Sequence, residues 1–239
     1  MKKISVLVAT VLVAMGMTSC GNSHRSASLK TGVDSASYAI GIANGAQFRQ
    51  MMEGAPGEPM NMDDLLAGFE VALKNDSAAM RMTPQAAQAF IQTYFMQVQT
   101  REANANKEEG EKFLEENKTK KDVFTTESGL QYQVVTEGTG EKPTEKDRVK
   151  VHYTGTLLDG TKFDSSVDRG EPAEFPVNGV IKGWTEILQL MPVGSKYIGW
   201  VPSELAYGER GAGSDIGPNK TLKFEIELLE IVKEDADKK

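Results

Sequence analysis

The stretch Val151-His152-Tyr153-Thr154-Gly155-Thr156-Leu157, followed by Phe163-Asp164-Ser165-Ser166, sets two aromatic rings and a carboxylate within one hairpin's reach of each other. Two further runs, Gly179-Val180-Ile181-Lys182-Gly183-Trp184 and Leu205-Ala206-Tyr207-Gly208, add aliphatic side chains, an indole and a phenol. Such a set makes a small apolar pocket with a few polar atoms at its rim, which suits binding without covalent chemistry. An apolar core has no use for the Asp164 charge unless it is paired. Arg169 is the natural partner, and a bidentate guanidinium holds a carboxylate ionised and oriented. The alternative leaves Arg169 in solvent, since surface pairs contribute little. The chain has two histidines, His24 and His152, and one cysteine, Cys20. These are too few for a Cys/His metal site, a Cys–His dyad or an internal disulfide.

In order and spacing these motifs resemble the FKBP-type peptidyl-prolyl isomerases over roughly Gly129 to Val232. The resemblance implies that Tyr153, Phe163, Val180, Ile181, Trp184 and Tyr207 surround a proline ring, with Trp184 as the floor. It puts Asp164 and the Tyr207 hydroxyl at the rim, Phe175 at a further lining position and Ile216 on a long loop over the mouth. Ala173, Ile187 and Gly217 stand where the family often has an aromatic, a glycine and a proline; Ala173 widens the mouth. The implied reaction is rotation about an Xaa–Pro amide, whose uncatalysed barrier is about 18–20 kcal/mol because rotation destroys amide resonance. Resonance separates charge, so an apolar pocket that binds the twisted form better lowers the barrier. That mechanism requires no nucleophile, metal or cofactor. A rival reading is a binding module, a holdase that recognises proline-containing segments without turnover. A third, a structural spacer, predicts loss of the aromatic set.

The elements that position these residues follow from periodicity. Leu130, Tyr132 and Val134 alternate with polar neighbours, as do Val149, Val151 and Tyr153, and again Leu222, Phe224, Ile226 and Leu228. These are strands with one buried face. Asp159-Gly160 is a hairpin turn signal, and Trp184 to Leu190 is a short helix whose Leu188 and Met191 plug the concave side. Alternation turns His152 away from Tyr153, towards solvent. In Lys196–Val201 it leaves Ile198 and Trp200 on the outer face, a patch for another surface, either a client, the partner subunit or the stalk, unless a bulge at Gly199 returns Trp200 to the core.

Ahead of the strands the pattern is helical. Tyr38 and Ile42 recur near a 3.6 period from Ser35 onward, and Met62, Leu65, Leu66, Phe69 and Leu73 mark a second amphipathic helix. Thr83-Pro84 reads as N-cap and first residue of a third. That helix is apolar from Ala87 to Val98 and polar thereafter, a packed end continued by a solvated stalk. Unbroken to Asn117 it is about 50 Å long; the alternative is two helices bent at Gly110. Ser37-Tyr38-Ala39-Ile40-Gly41 and the Asp64–Phe69 run resemble the macrophage-infectivity-potentiator subgroup, which implies a homodimer intertwined through residues 35–117.

Lys2 and Lys3 before the apolar run Ile4–Met15 form a signal peptide. Met17-Thr18-Ser19-Cys20 resembles a bacterial lipobox, which implies a lipid on Cys20 and anchoring by two or more acyl chains. The alternative is an ordinary signal peptide with an incidental cysteine. The formal charge of −7 becomes −9 once residues 1–19 and their two lysines are removed, so a nucleic-acid partner is excluded. The expected organisation is an α+β protein: signal peptide 1–19, tether 20–34, all-α dimerisation domain and stalk 35–117, linker 118–128, isomerase domain 129–233 and tail 234–239. The isomerase domain is a twisted antiparallel sheet wrapped on a short helix. The expected role is isomerase and chaperone for unfolded or partly folded clients in the cell envelope, at the outer membrane facing the periplasm.

Overall fold

A computed structural model describes residues 26–53 and 55–232. The expected signal peptide 1–19, Cys20 and the expected tail 234–239 lie outside the described residues. Residues up to Met51 and from Met52 onward form two compact units. The described part of the first is essentially α1 (Gly32–Glu53). Its start is set by a reciprocal cap: the Asp34 N–H donates to Thr31 Oγ1 at 3.1 Å and the Thr31 N–H to the Asp34 carboxylate at 2.9 Å. The helix therefore begins ahead of the expected Ser35. Ile40 and Ile42 stand exposed on it.

The second unit opens with α2 (Met62–Leu73), where Asn61 Oδ1 accepts the N–H groups of Asp63 and Asp64. Next comes α3 (Pro84–Asn117), capped by Thr83 Oγ1, which accepts the Ala86 N–H, with Pro84 in the first turn. Its 34 residues run unbroken through Gly110, so the helix is about 50 Å long and the bent alternative does not occur. The expectation of a stalk solvated all round is corrected. One face, recurring as Ala103, Asn106, Gly110, Leu114 and Asn117, docks on the sheet domain. Gly110 is required there: a Cβ would stand 2.3 Å from Thr221 Oγ1. Its helix-propensity cost of about 1 kcal/mol is offset by this close approach. Gln131 fastens the last turns by donating to the Leu114 carbonyl at 2.8 Å and accepting from Asn117 Nδ2 at 2.9 Å.

The sheet is antiparallel throughout. It comprises β1 (Val123–Thr125), β2 (Gln131–Thr136), β3 (Arg148–Leu157), β4 (Lys162–Ser165), β5 (Ala173–Pro176), β6 (Lys196–Val201) and β7 (Leu222–Val232), in the order β1-β2-β6-β7-β3-β4, with β5 beside β3. The segment 118–128 read as a linker thus carries β1, paired to β2 from Val123↔Gln133 to Thr125↔Gln131. Between β4 and β5 lies the one-turn α4 (Ser166–Arg169), and between β5 and β6 lies α5 (Lys182–Leu190). Trp184, Ile187 and Leu188 of α5, with Met191, are buried with Val149, Val151, Leu222, Ile226 and Leu228 of the inner sheet face. The unusual Ile187 fits because Gly199 faces it: a Cβ there would stand 2.7 Å from Ile187 Cδ1. One residue of β7, Leu229, is bulged opposite Lys150 and Val151.

Of the two expectations for Trp200, the outer-face placement holds, although the residue is not exposed, and the bulge at Gly199 does not occur. The register from Gln131↔Trp200 to Val134↔Tyr197 runs without a bulge, so Trp200 stays on the outer face, yet it is only 8% exposed. Its lateral neighbours are Gln131 and Lys223, and Gln131 is held by the end of α3. Trp200 thus shares this face with Gln131 and the end of the stalk that holds it.

Candidate functional site

The site is assembled on β3 and β4 around the first turn of α5. Trp184 is 4% exposed, and three rings meet it edge to face. Their centroids lie 5.0 Å away for Tyr153, 5.3 Å for Phe224 and 5.7 Å for Phe175. Phe163 stands against Phe224 at 5.7 Å, near-perpendicular. Such T-shaped pairs add about 0.5–1.5 kcal/mol each beyond burial, so the floor is a rigid box. The Trp184 indole N–H is buried and has no acceptor, a state rarely left in a core without function. Gly155 makes the box possible: a Cβ there would stand 2.6 Å from Phe163 and 2.9 Å from Phe224.

At the edge of the box Tyr153 and Asp164 hydrogen-bond, with the phenol donating to Oδ2. Arg169 Nη1 donates to Asp164 Oδ1 and Nη2 to the Tyr153 hydroxyl at 3.1 Å. The guanidinium also lies 5.6 Å from the Tyr153 ring centroid. Arg169 is thus the partner of Asp164, but the expected bidentate fork is corrected. The two nitrogens divide between carboxylate and phenol because α4 brings Arg169 in beside the Tyr153 ring, and the result is a closed triangle. Both charged side chains are about half exposed, so the pair orients more than it stabilises. Burial opposes the Asp164 charge, but the hydrogen bonds from Tyr153 and Arg169 outweigh it and hold the carboxyl below the usual carboxylate range. Burial and then the bond to Asp164 raise the Tyr153 phenol. Burial and then the Asp164 charge raise that of Tyr207, which places Tyr207 within the carboxylate's field although its side chain is substantially exposed.

Of the remaining expected residues, Val180, Ile181 and Phe175 pack half-buried against the core, and Ile216 is buried within it at 6% exposure. His152 corrects an expectation: it is half-buried, with Nδ1 3.1 Å from Ser166 Oγ. The reason is a gap in the ladder. β3 pairs with β5 up to Val151 and with β4 from Thr154, and between them the fully buried Ser166 hydroxyl accepts the Tyr153 N–H at 2.8 Å. Ser166 therefore fixes the backbone of Tyr153, and sequence reasoning missed it, as it missed the place of Phe224 in the box. Alternation had already turned Phe224 inward; for Ser166 the only signal was its position in the Phe163-Asp164-Ser165-Ser166 run.

A family model described as FKBP-type peptidyl-prolyl cis-trans isomerase matches residues 139–229, and one described as the domain amino terminal to that isomerase matches residues 33–134. The FKBP-type 22 kDa peptidyl-prolyl cis-trans isomerase of Escherichia coli is 51% identical over 202 residues, covering 82% of this chain and 94% of its own. The outer membrane protein MIP of Legionella longbeachae is 38% identical, covering 95% of this chain and 97% of its own. The crystal structure of FkpA from Escherichia coli superposes with a TM-score of 0.66 at 35% identity, over 85% of this chain and 98% of that one. With both halves matched and relatives aligned over nearly their whole length, the chain belongs to the FKBP-type peptidyl-prolyl cis-trans isomerases that carry this amino-terminal domain.

Proposed function

We propose that the aromatic box is the catalytic site and that it turns Xaa–Pro bonds in unfolded or partly folded proteins outside the cytoplasm, with chaperone activity. Tyr153, Phe163, Asp164, Val180, Ile181, Trp184 and Tyr207 contact the substrate; Phe175, Phe224 and Ile216 complete the walls, and Arg169 orients Asp164. The observation that carries this reading is the pairing of a dry, rigid ring cluster with one oriented carboxylate at its edge. The ring cluster removes water from the imide, which favours the twisted form with its smaller charge separation. Rigid rings do so with no reorganisation as the bond turns. The test is a protease-free peptide isomerisation assay on the chain from Cys20 onward. Acceleration over the uncatalysed rate is expected; tight binding of proline peptides without acceleration overturns the enzyme reading in favour of a holdase.

The same protein acts, in this proposal, as a lipid-anchored homodimer of the bacterial envelope. Exposed Ile40 and Ile42 on α1, Leu66 and Leu73 on α2 and Phe90 and Ile91 on α3 leave apolar faces that a helical region of this size does not cover alone. A second copy through residues 35–117 buries them. The name of the Legionella relative as an outer membrane protein and the lipobox-like run before Cys20 support the anchor. Among the described residues no helix is long and apolar enough to cross a membrane. Cys20→Ser should move the protein from the membrane fraction to the soluble one, where light scattering should find dimers. An acylated mutant, or a monomer at micromolar concentration, would contradict the respective half.

A further inference from the structure

The loop from Tyr207 to Thr221 carries two proposed site residues, Tyr207 and Ile216, and is closed on itself by a few backbone bonds, among them the exchange between Ala212 and Ile216. Gly208, Gly211 and Gly213 all have positive φ, between 56° and 62°. Glycine in that region gives up the most conformational freedom on ordering. That freedom must be offset by contacts: the burial of Ile216 in the core supplies some, and the stalk supplies others.

Asn106, on the docked face of α3, donates from Nδ2 to the Pro218 carbonyl at 2.8 Å. Its neighbour in the loop, Asn219, donates from its own Nδ2 back to the Ala103 carbonyl at 3.3 Å. Asn219 sits in the left-handed region with φ 54°, and its backbone N–H donates to the Gly208 carbonyl at 2.8 Å. Gly208 follows Tyr207 directly. Three polar links therefore lead from the stalk to the backbone that follows Tyr207. Glu109 adds an ion pair to Lys220 at 3.1 Å, and Gly110 lets Thr221 close against the helix. Beside these bonds lies a crevice of about 490 Å³, bordered by Ala103 and Asn104 on one side and Arg210 and Pro218 on the other. Along that groove the links between loop and helix are hydrogen bonds, beside the buried Ile216 and the close approach of Thr221.

We propose that Asn106, acting with Asn219, is a positioning residue of the isomerase site: the two amides clamp the glycine-rich loop to the stalk and so hold Tyr207 and Ile216 at the pocket mouth. The proposal rests on the assignment of the aromatic box as that site. It makes the stalk a structural part of the site, not only a spacer. Loss of the clamp loosens groups that contact substrate in ground and transition states alike, while the Trp184 box that favours the twisted amide is untouched. The effect therefore falls on KM more than on kcat.

The test uses the full chain from Cys20 onward with Asn106→Ala and, separately, Asn219→Gly, which removes the second amide while tolerating positive φ. In both, KM for a proline peptide should rise about three- to tenfold, the worth of one neutral hydrogen bond, with kcat changed less than twofold. Hydrogen exchange without substrate should accelerate at the amides of Ala212, Ile216 and Asn219, whose acceptors lie within the loop, and stay unchanged at Tyr153 and Trp184. A merely structural role would instead raise exchange across the domain together with a lowered melting temperature. That outcome, or an unchanged KM in an active protein, overturns the proposal. An inactive wild-type chain is a different result, since it removes the site assignment itself.

Discussion

Asp164→Ala leaves the chain folded and lowers kcat/KM for Xaa–Pro isomerisation about ten- to hundredfold, since hydrogen bonds to a charged group are worth about 1.5–3 kcal/mol and about 1.4 kcal/mol is a factor of ten. The fold survives because the Asp164 side chain is 41% exposed and lies outside the core cluster. Turnover falls because two donors, the Tyr153 hydroxyl and Arg169 Nη1, lose their common acceptor, and the wall nearest the Trp184 floor loses its orientation. Tyr153→Phe keeps the ring and removes one link, so it should show the smaller loss. Wild-type turnover in Asp164→Ala at unchanged melting temperature would remove Asp164 from the mechanism. The pH dependence has a definite sign. The folded-state pKa of Asp164 is depressed, so its triangle is fully formed above the unfolded carboxylate value of about 3.9 and is lost only as pH falls through the lower folded value. Activity should therefore persist to about pH 4 and drop below it. Arg169→Gln removes one of the bonds that depress the value, so the drop should move to higher pH.

What the sequence disclosed and what it hid divide along a physical line. Alternation in Val149–Tyr153 and Leu222–Leu228 identified the inner sheet face, because apolar burial leaves a period of two. Thr83-Pro84 located the start of α3 to the residue, because a cap is local chemistry. The docked stripe Ala103, Asn106, Gly110, Leu114 and Asn117 left no such trace. Apart from Leu114 it is made of small and amide residues, whose polar groups are satisfied by specific hydrogen bonds, and a polar helix face gives the same composition whether it meets water or another backbone. Trp200 was rightly turned to the outer face by alternation, but hydropathy alone did not choose among the surfaces that could lie against it. The Arg169 fork was expected from pairwise chemistry alone. The third partner, the Tyr153 hydroxyl, is fixed by where α4 sets the guanidinium, which no spacing rule contains. Ser166 fills a gap between two strands that both pair with β3, and that gap exists only once the sheet is assembled.

These contacts bear on the boundary expected at Gly129. A fragment beginning there keeps the motifs over which the family resemblance is drawn, yet it lacks α3 and β1. Trp200, 8% exposed in the full chain, stands beside Gln131 and should become more exposed. Gln131, 2% exposed, would lose both the Leu114 carbonyl and Asn117 Nδ2, and Tyr132 would lose the Phe124 ring stacked on it at 5.3 Å. One large apolar side chain returned to water costs about 1.5–3 kcal/mol, and a buried polar group left without partners about 1–3 kcal/mol. The sum is a large share of the roughly 5–15 kcal/mol that holds an ordinary domain together. The fragment from Gly129 should therefore unfold at a markedly lower denaturant concentration than one beginning at Thr83, which retains the whole of α3. In a Trp184→Phe background Trp200 is the single fluorophore of its kind: its emission should be blue-shifted and protected from quencher in the longer fragment, red-shifted and accessible in the shorter. Equal midpoints and equal emission in the two fragments would mean that the stalk covers nothing that the sheet needs. Unequal ones place the end of the isomerase domain's own core inside α3, some turns before the first strand.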